Sequence, residues 1–407
     1  TIALAQQRRA LDPQAGYDPL LVARMQAVLP ACVRQGVKII TNMGAANPLA
    51  AGHAVLRVAR ELGLPRLRVA VVTGDDVLPW LQVNDVPLID SDQTVRSLDG
   101  LLISANAYLG ADAIVPAIAT GADVVITGRV GDPALFLAPL MHHFGWDAGD
   151  WTLMGRGICA GHLLECSAQV TGGYIADPGH VDIPDLATVG FPLAEVNADG
   201  SFTLTKLPGT GGRVDRLTCT AQLLYELEEP TRYLQADVTA DFSTVRLHET
   251  GPDRVHVEGA GGTQRPTHLK ATLGFREGFI GEGQISYAGP GARARGELAL
   301  QVLEHRLKVL GLDHLEHRAE LIGVNAMHGS HRGTEHEPYE VRVRLALRAP
   351  TRAQAERAGL EVESLYINGP AAGGGVTQSV REVVAVASAL IPREVIQTEC
   401  HVLELNA

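Results

Sequence analysis

Val37-Lys-Ile-Ile40 runs into Thr41-Asn-Met-Gly-Ala-Ala-Asn-Pro48, and Leu49 to Leu62 follows with helical apolar spacing. The pattern returns three times. Leu67-Arg-Val-Ala-Val-Val72 ends in Thr73-Gly-Asp-Asp76, and Leu101-Leu-Ile103 ends in Ser104-Ala-Asn-Ala-Tyr-Leu-Gly110. Ala122-Asp-Val-Val-Ile126 ends in Thr127-Gly-Arg-Val-Gly-Asp-Pro133, and a helical stretch follows again. Short continuous β-branched runs need apolar cover on both faces, and the intervening helices supply it. The expected fold class is therefore α/β, opening on a parallel sheet with flanking helices. Ligands bind such sheets in the crevice beyond the carboxyl ends of the strands, where the four polar loops are expected to converge.

Further along, the texture changes. From about Ala198 to Gly262 short alternating segments with Gly and Pro turns, such as Ser201-Phe-Thr-Leu-Thr205 and Arg254-Val-His-Val-Glu258, predict antiparallel strands. Beyond Thr267 the order reads strand, helix, strand, strand, helix, strand. Its strands are placed at Leu269 to Phe275 with Gly283 to Tyr287, Ala319 to Ala326, Tyr339 to Leu347 and Glu394 to Leu405. Its helices are placed at Ala292 to Leu310 and Thr351 to about Val362, with an extra one at Val376 to Leu390. That order predicts an α+β sandwich of split βαβ type. The division expected is a parallel α/β domain over 1–197, a β-rich connecting segment over 198–266 and an α+β domain over 267–407.

The 407 residues carry 34 Lys and Arg against 46 Asp and Glu, a net charge of −12. With no basic run, nucleic acid and anionic membrane surfaces are not expected as partners, and aromatic residues at 4% offer no stacking platform for single strands. Five cysteines without a CxxC spacing argue against a disulfide framework or a cysteine-rich zinc site, which makes the cytoplasm the expected compartment. No apolar run is long enough to span a bilayer. Thr1-Ile-Ala-Leu-Ala-Gln-Gln-Arg-Arg9 reads as the interior of a helix without a cap, so further residues are expected upstream.

Polar groups are densest in Gly161-His-Leu-Leu-Glu-Cys-Ser-Ala-Gln-Val-Thr-Gly-Gly-Tyr174. His162 and Glu165 lie three apart and share a face if the segment is helical, and Gln169 lies one turn on. Such a pair can act as acid and base when burial and coupling bring both pKa values toward neutrality. The plainer reading is a buried hydrogen-bonding cluster. Among the strand-end loops, Asn42 and Asn47 are candidates for a ligand, although Asn47 before Pro48 also fits a helix cap. Asp75 is a candidate base, and adjacent Asp75 and Asp76 are weak candidates for Mg²⁺, since neighbouring side chains usually diverge. Arg129 can clamp a carboxylate, Asp132 either joins it or caps the next helix, and Asn106 and Tyr108 add neutral donors. Gly373-Gly374-Gly375 before the expected helix would form a nest for a phosphate or second carboxylate. Met327-His328-Gly-Ser330-His331-Arg-Gly-Thr-Glu-His336 has imaginable metal spacing but no HExxH. No GxSxG elbow and no dinucleotide fingerprint is present.

Ile40 to Pro48, Val72 to Asp76, Ile126 to Asp132 and Gly161 to Tyr174 together resemble the acyclic terpene utilisation protein A family. The resemblance covers most of the chain. It implies a first strand and a glycine-rich loop before Thr1. Some relatives carry a small C-terminal ferredoxin-like domain with an Arg-Ser-Gly-Asp-Lys-Gly motif. That motif is missing here, so a separately encoded small companion protein is an implied partner. The family's pathways degrade branched acyclic terpenoids as coenzyme A thioesters, but the resemblance transfers no catalytic residue.

The function expected is proton transfer next to a carbonyl on a branched carboxylic acid or its acyl-CoA thioester, by hydration or dehydration. Glu165 or His162 would move the proton, Arg129 would hold a carboxylate, and Asn47 with its turn amides would stabilise an enolate-like oxygen. No redox cofactor is implied. A rival from another class is a non-catalytic acyl-CoA-binding or scaffolding subunit of a carboxylase-type assembly. Another is a lyase that cleaves a carbon–carbon bond with Mg²⁺. A homo-oligomer is expected from base rates.

Overall fold

The computed structural model describes residues 2–98, 100–329 and 337–405. It has two compact units, Thr1–Gly274 with Ala387–Ala407, and Phe275–Val386. No helix among the described residues is long and apolar enough to cross a membrane.

The first unit opens with helices α1 (Ile2–Leu11) and α2 (Leu21–Gln35), then β1 (Ile39–Thr41), α3 (Pro48–Glu61) and β2 (Leu67–Thr73). It continues with α4 (Leu78–Leu81), β3 (Leu102–Ala107), α5 (Ala111–Ala119), β4 (Val124–Thr127), α6 (Ala134–Phe144) and α7 (Trp151–Leu164). Strands β1, β4 and β2 pair in parallel in that order, and Glu399–Leu405 closes the sheet antiparallel to β2. Alternation along β2 explains the cover on both faces. Val69 and Val71 pack with Leu21, Leu29, Val55 and Val58 of α2 and α3, whereas Ala70 and Val72 join the core of Ile114, Leu137 and Ile158 from α5, α6 and α7.

Two expectations need correction in this unit. Strand β3 leaves the parallel sheet and pairs with the strand that begins at His268. Its alternate positions Ser104 and Asn106 are polar and buried, so it lacks the apolar faces that a doubly covered strand needs. The terminal strand, expected to finish the split βαβ order, adds instead to β2.

Residues 192–263 supply β5 (Pro192–Val196), β6 (Phe202–Lys206), α8 (Arg216–Leu223), β7 (Tyr233–Leu234), β8 (Thr239–Asp241), β9 (Arg246–Gly251), β10 (Arg254–Glu258) and β11 (Gly261–Thr263). The sheet β5-β6-β10-β9 is antiparallel, as the alternation predicts, and its buried Phe202, Leu204, Val255 and Val257 join the core of α7. The other strands of this stretch form the sheet β11-β8-β7.

Asp237, in the turn before β8, accepts the Ala111 N–H at the start of α5 with both carboxylate oxygens, at 2.8 and 3.0 Å. Burial, helped by the charge of Asp112, pushes its carboxyl up to about 6 against the Ala111 amide and Arg393. A folded pKa above the unfolded one gives stability that is complete below the unfolded value and lost as pH rises through the folded one. The shift from 3.8 to about 6 corresponds to at most about 3 kcal/mol. Denaturation midpoints should therefore fall between about pH 4 and about pH 7, and less steeply in Asp237→Asn. Equal slopes in the two proteins would refute this assignment.

In the second unit, the 21-residue strand β12 (His268–Ala288), which starts in the first unit, is followed by α9 (Ala292–Val309), β13 (His317–Ile322), β14 (Glu340–Ala349), α10 (Arg352–Asn368) and β15 (Gly374–Pro392). The order β13-β14-β12-β15 is the split βαβ arrangement expected. Leu303, Leu307, Val362 and Leu365 of the helices pack on Ile285, Tyr287, Val343 and Leu345 of the sheet.

Here the local reading fails after Gly375, where Val376 to Leu390 is strand and not helix. Five valines and a threonine favour the extended chain, and β12 supplies the partner. The glycine run is thus no helix N-terminus. Gly373 lies against Ile285 and Tyr287, where a Cβ would stand 2.8 Å from Ile285 Cδ1, and Gly375 turns the chain at φ 65°. The two strands read at Leu269 to Phe275 and Gly283 to Tyr287 are parts of the single strand β12. Ser330 to His336 of the His-rich segment lie outside the described residues.

Candidate functional site

The carboxyl ends of β1, β2 and β4 deliver Asn42, Asp75 and Arg129 to one edge of the first sheet. Strand β3 reaches the same place from its own sheet, because Val77 N–H donates to Ala105 O at 2.9 Å and Ala107 N–H donates to Asp75 O at 2.7 Å. Gly131 N–H to Leu109 O, 2.8 Å, ties the β4 loop to the β3 loop. The four loops therefore converge, although only three of their strands share a sheet.

Asp75 is buried at the centre of this edge, with 4% of its surface exposed. Its Oδ2 accepts from Asn106 Nδ2 and from the Arg129 backbone N–H, each at 2.8 Å. Burial pushes its carboxyl above the ordinary range, opposed by those two donors. Gly128 makes the approach feasible, since a Cβ there would stand 2.3 Å from Asp75 Oδ1. Asp76 turns elsewhere and accepts the Leu78 N–H at 3.1 Å. The two adjacent carboxylates therefore do not form a chelating pair. Among the described residues no three His, Cys, Asp or Glu side chains are grouped to hold a metal.

Arg129 is fixed on several sides. Its Nε donates to Val130 O at 2.7 Å, its Nη2 is paired with Asp132, and its guanidinium carbon lies 4.7 Å from the centre of the Tyr108 ring. Asn42 Nδ2 donates to the same Asp132 oxygen at 2.8 Å. Asp132 thus positions Arg129 and leaves the helix cap unfilled. A guanidinium has five N–H donors, so the remaining ones are available to an anion. Lys270, whose Nζ stands 5.7 Å from the Tyr108 ring centre, adds a cation that no local pattern points to.

Helix α7 carries a second cluster of candidate residues. Gly161 allows it to touch the turn after Asp132, where a Cβ would stand 2.7 Å from Pro133 Cα. The next residue, His162, faces Glu165, Nδ1 to Oε1, at 3.2 Å. His162 is 1% exposed, and its Nε2 lies 3.2 Å from Leu223 O. A carbonyl only accepts, so Nε2 carries a proton. The Nδ1–Oε1 contact then holds one proton between His162 and Glu165. Burial raises the Glu165 carboxyl, as do the charges of Asp132 and Glu226, while His162 lowers it. Its other oxygen, Oε2, is buried without a hydrogen-bond partner, as is Nε2 of Gln169.

The remaining candidates fare differently. Asn47 is saturated as a cap, donating to Pro13 O and Ala15 O at 2.9 and 2.7 Å and accepting the Ala50 N–H at 3.4 Å. It has no donor left for an enolate oxygen. Gly373, Gly374 and Gly375 belong to the second unit. Tyr233 and Phe242, whose ring centres lie 5.4 and 5.8 Å from that of His162, escape a local reading because they arrive from β7 and the residue after β8.

The family model for acyclic terpene utilisation family protein AtuA matches residues 1–402. No curated protein and no solved structure matches the chain.

Proposed function

We propose that this chain, which belongs to the acyclic terpene utilisation family AtuA, catalyses proton transfer next to the carbonyl of a branched carboxylic acid or its acyl-CoA thioester. Gain or loss of water is the favoured outcome. The family's description, acyclic terpene utilisation, supports a catabolic role. The observation that carries the chemistry is Glu165, which shares a proton with His162 through Oε1 and keeps Oε2 buried and unpartnered.

In this reading the proton of the Oε1 contact lies on His162 Nδ1, which leaves Glu165 ionised. Oε2 takes the proton from the carbon beside the carbonyl, and the electron pair of the broken C–H bond moves into the enolate. In the dehydration direction the hydroxyl on the next carbon leaves with that proton as water. Free N–H groups of Arg129 face the oxygen on which charge develops. His162 does not touch the substrate. It holds the proton of the Glu165 pair and sets its orientation. Asp75 and Asp132 act through Arg129, one on its backbone and one on its guanidinium, so the substrate-facing roles fall to Glu165, Arg129, Asn42, Asn106 and Gln169.

The test is incubation in deuterated water with branched enoyl-CoA thioesters and di- and tricarboxylic acids, read by mass. A change of one water, or deuterium entering beside a carbonyl, is expected for at least one compound. Binding of a thioester with no mass change in any compound would overturn the proposal in favour of a non-catalytic binding subunit.

A further inference from the structure

A groove of about 460 Å³ runs along α3 in the first unit, lined by His53, Arg57 and Arg60 with Gln14, Leu49 and Leu56. That volume falls among those of small-molecule sites, roughly 300–1,000 Å³. His53, Arg57 and Arg60 recur at helical spacing on the exposed face of α3. None of the three has an ion-pair partner among the described residues. Among the described residues no acidic side chain lines the groove, in a protein whose net charge is −12. Leu49 and Leu56 give the same space an apolar wall, with 38% and 5% of their surfaces exposed.

We propose that this groove binds a phosphomonoester carried on a flat, largely apolar body, which is the chemistry of a nucleotide. A phosphomonoester brings a charge of about −1.5 to −2 at neutral pH. One surface arginine offsets only part of it. Arg57 and Arg60 together match it, and each guanidinium can take two phosphate oxygens. Exposed Leu49 accepts the face of the base and the Gln14 amide an edge of it. A bare carboxylate would leave most of this lining unused. The site is separate from the Glu165 pair; the Thr41–Pro48 turn carries Asn42, which donates to Asp132, at one end and Asn47, which lines the groove, at the other. The inference deepens the thioester version of the proposed reaction, on which it rests for its role but not for its binding.

Calorimetric titration with adenosine 3′,5′-bisphosphate at low salt tests it. Saturable one-site binding is expected, weakened about tenfold or more in Arg57→Glu/Arg60→Glu and by less than about twofold in Arg34→Glu on α2. Inorganic phosphate and adenosine should each compete, both more weakly than the bisphosphate. Glu165→Gln should bind the bisphosphate like wild type, so a failure of the catalytic reading leaves this result intact. No saturable binding by wild type, equal affinity in the double variant, or phosphate as tight as the bisphosphate would each overturn the assignment.

Discussion

Glu165→Gln should lower turnover by about 10²–10⁴-fold, the usual range for removing a general acid or base, while the protein folds normally. Gln has nearly the shape of Glu, and its amide can donate to His162 Nδ1 across the same 3.2 Å contact. What it cannot do is accept a proton from carbon. The carboxyl is raised by burial and by neighbouring Asp132 and Glu226, so its ionised form costs stability as pH rises through the raised pKa. The variant should therefore unfold at an equal or higher denaturant concentration than wild type at neutral pH. Wild-type kcat/KM should fall on the acid side through a pKa above the ordinary range for Glu. Full turnover by a folded Glu165→Gln protein would remove Glu165 from the chemistry, whereas loss of turnover with loss of fold would leave its role structural.

His162 separates differently. Its Nε2–H is committed to Leu223 O and its ring is wedged among Tyr233 and Phe242, so it touches nothing that a substrate would reach. It positions the Glu165 proton. The i, i+3 spacing made the pair visible in sequence, but the groups that enclose His162 come from α8, β7 and the residue after β8. No local pattern points to them.

The same distinction runs through the fold. Strands β1, β2 and β4 were legible because a strand covered on both faces must be apolar throughout. Strand β3 resembles them in length and in the polar loop after it, and nothing local tells it to pair with β12. The misreading of β15 has the same origin. Glycines followed by valine, alanine and leucine suit a helix of modest propensity, and the free edge of β12 converts them to strand. The strand-end rule nevertheless anticipated that Asn42, Asp75, Asn106, Arg129 and Asp132 come together, because strand direction and loop polarity are local properties. Asn47 shows the limit of that rule. An Asn before Pro at a strand-to-helix turn serves the helix first, and its three hydrogen bonds leave nothing for a ligand.

Asp75→Ala should destabilise the protein by about 2–6 kcal/mol and abolish turnover with it. The substitution strands two buried donors, Asn106 Nδ2 and the Arg129 N–H, and each unsatisfied group costs about 1–3 kcal/mol. Arg129 would then lose its backbone anchor at the point where Asp132 sets its guanidinium. Asp75→Asn tests the role itself. The amide oxygen can accept both donors, so most of the stability should return, and with Arg129 back in place a substantial fraction of turnover should return too. A proton carrier at Asp75 gives the opposite result, a stable Asn variant as inactive as the Ala variant. Denaturant midpoints and kcat measured on both proteins decide between them. The geometry favours positioning, because the Asp75 oxygen that is not held by the two donors faces Gly128, where even a methyl group would stand 2.3 Å away.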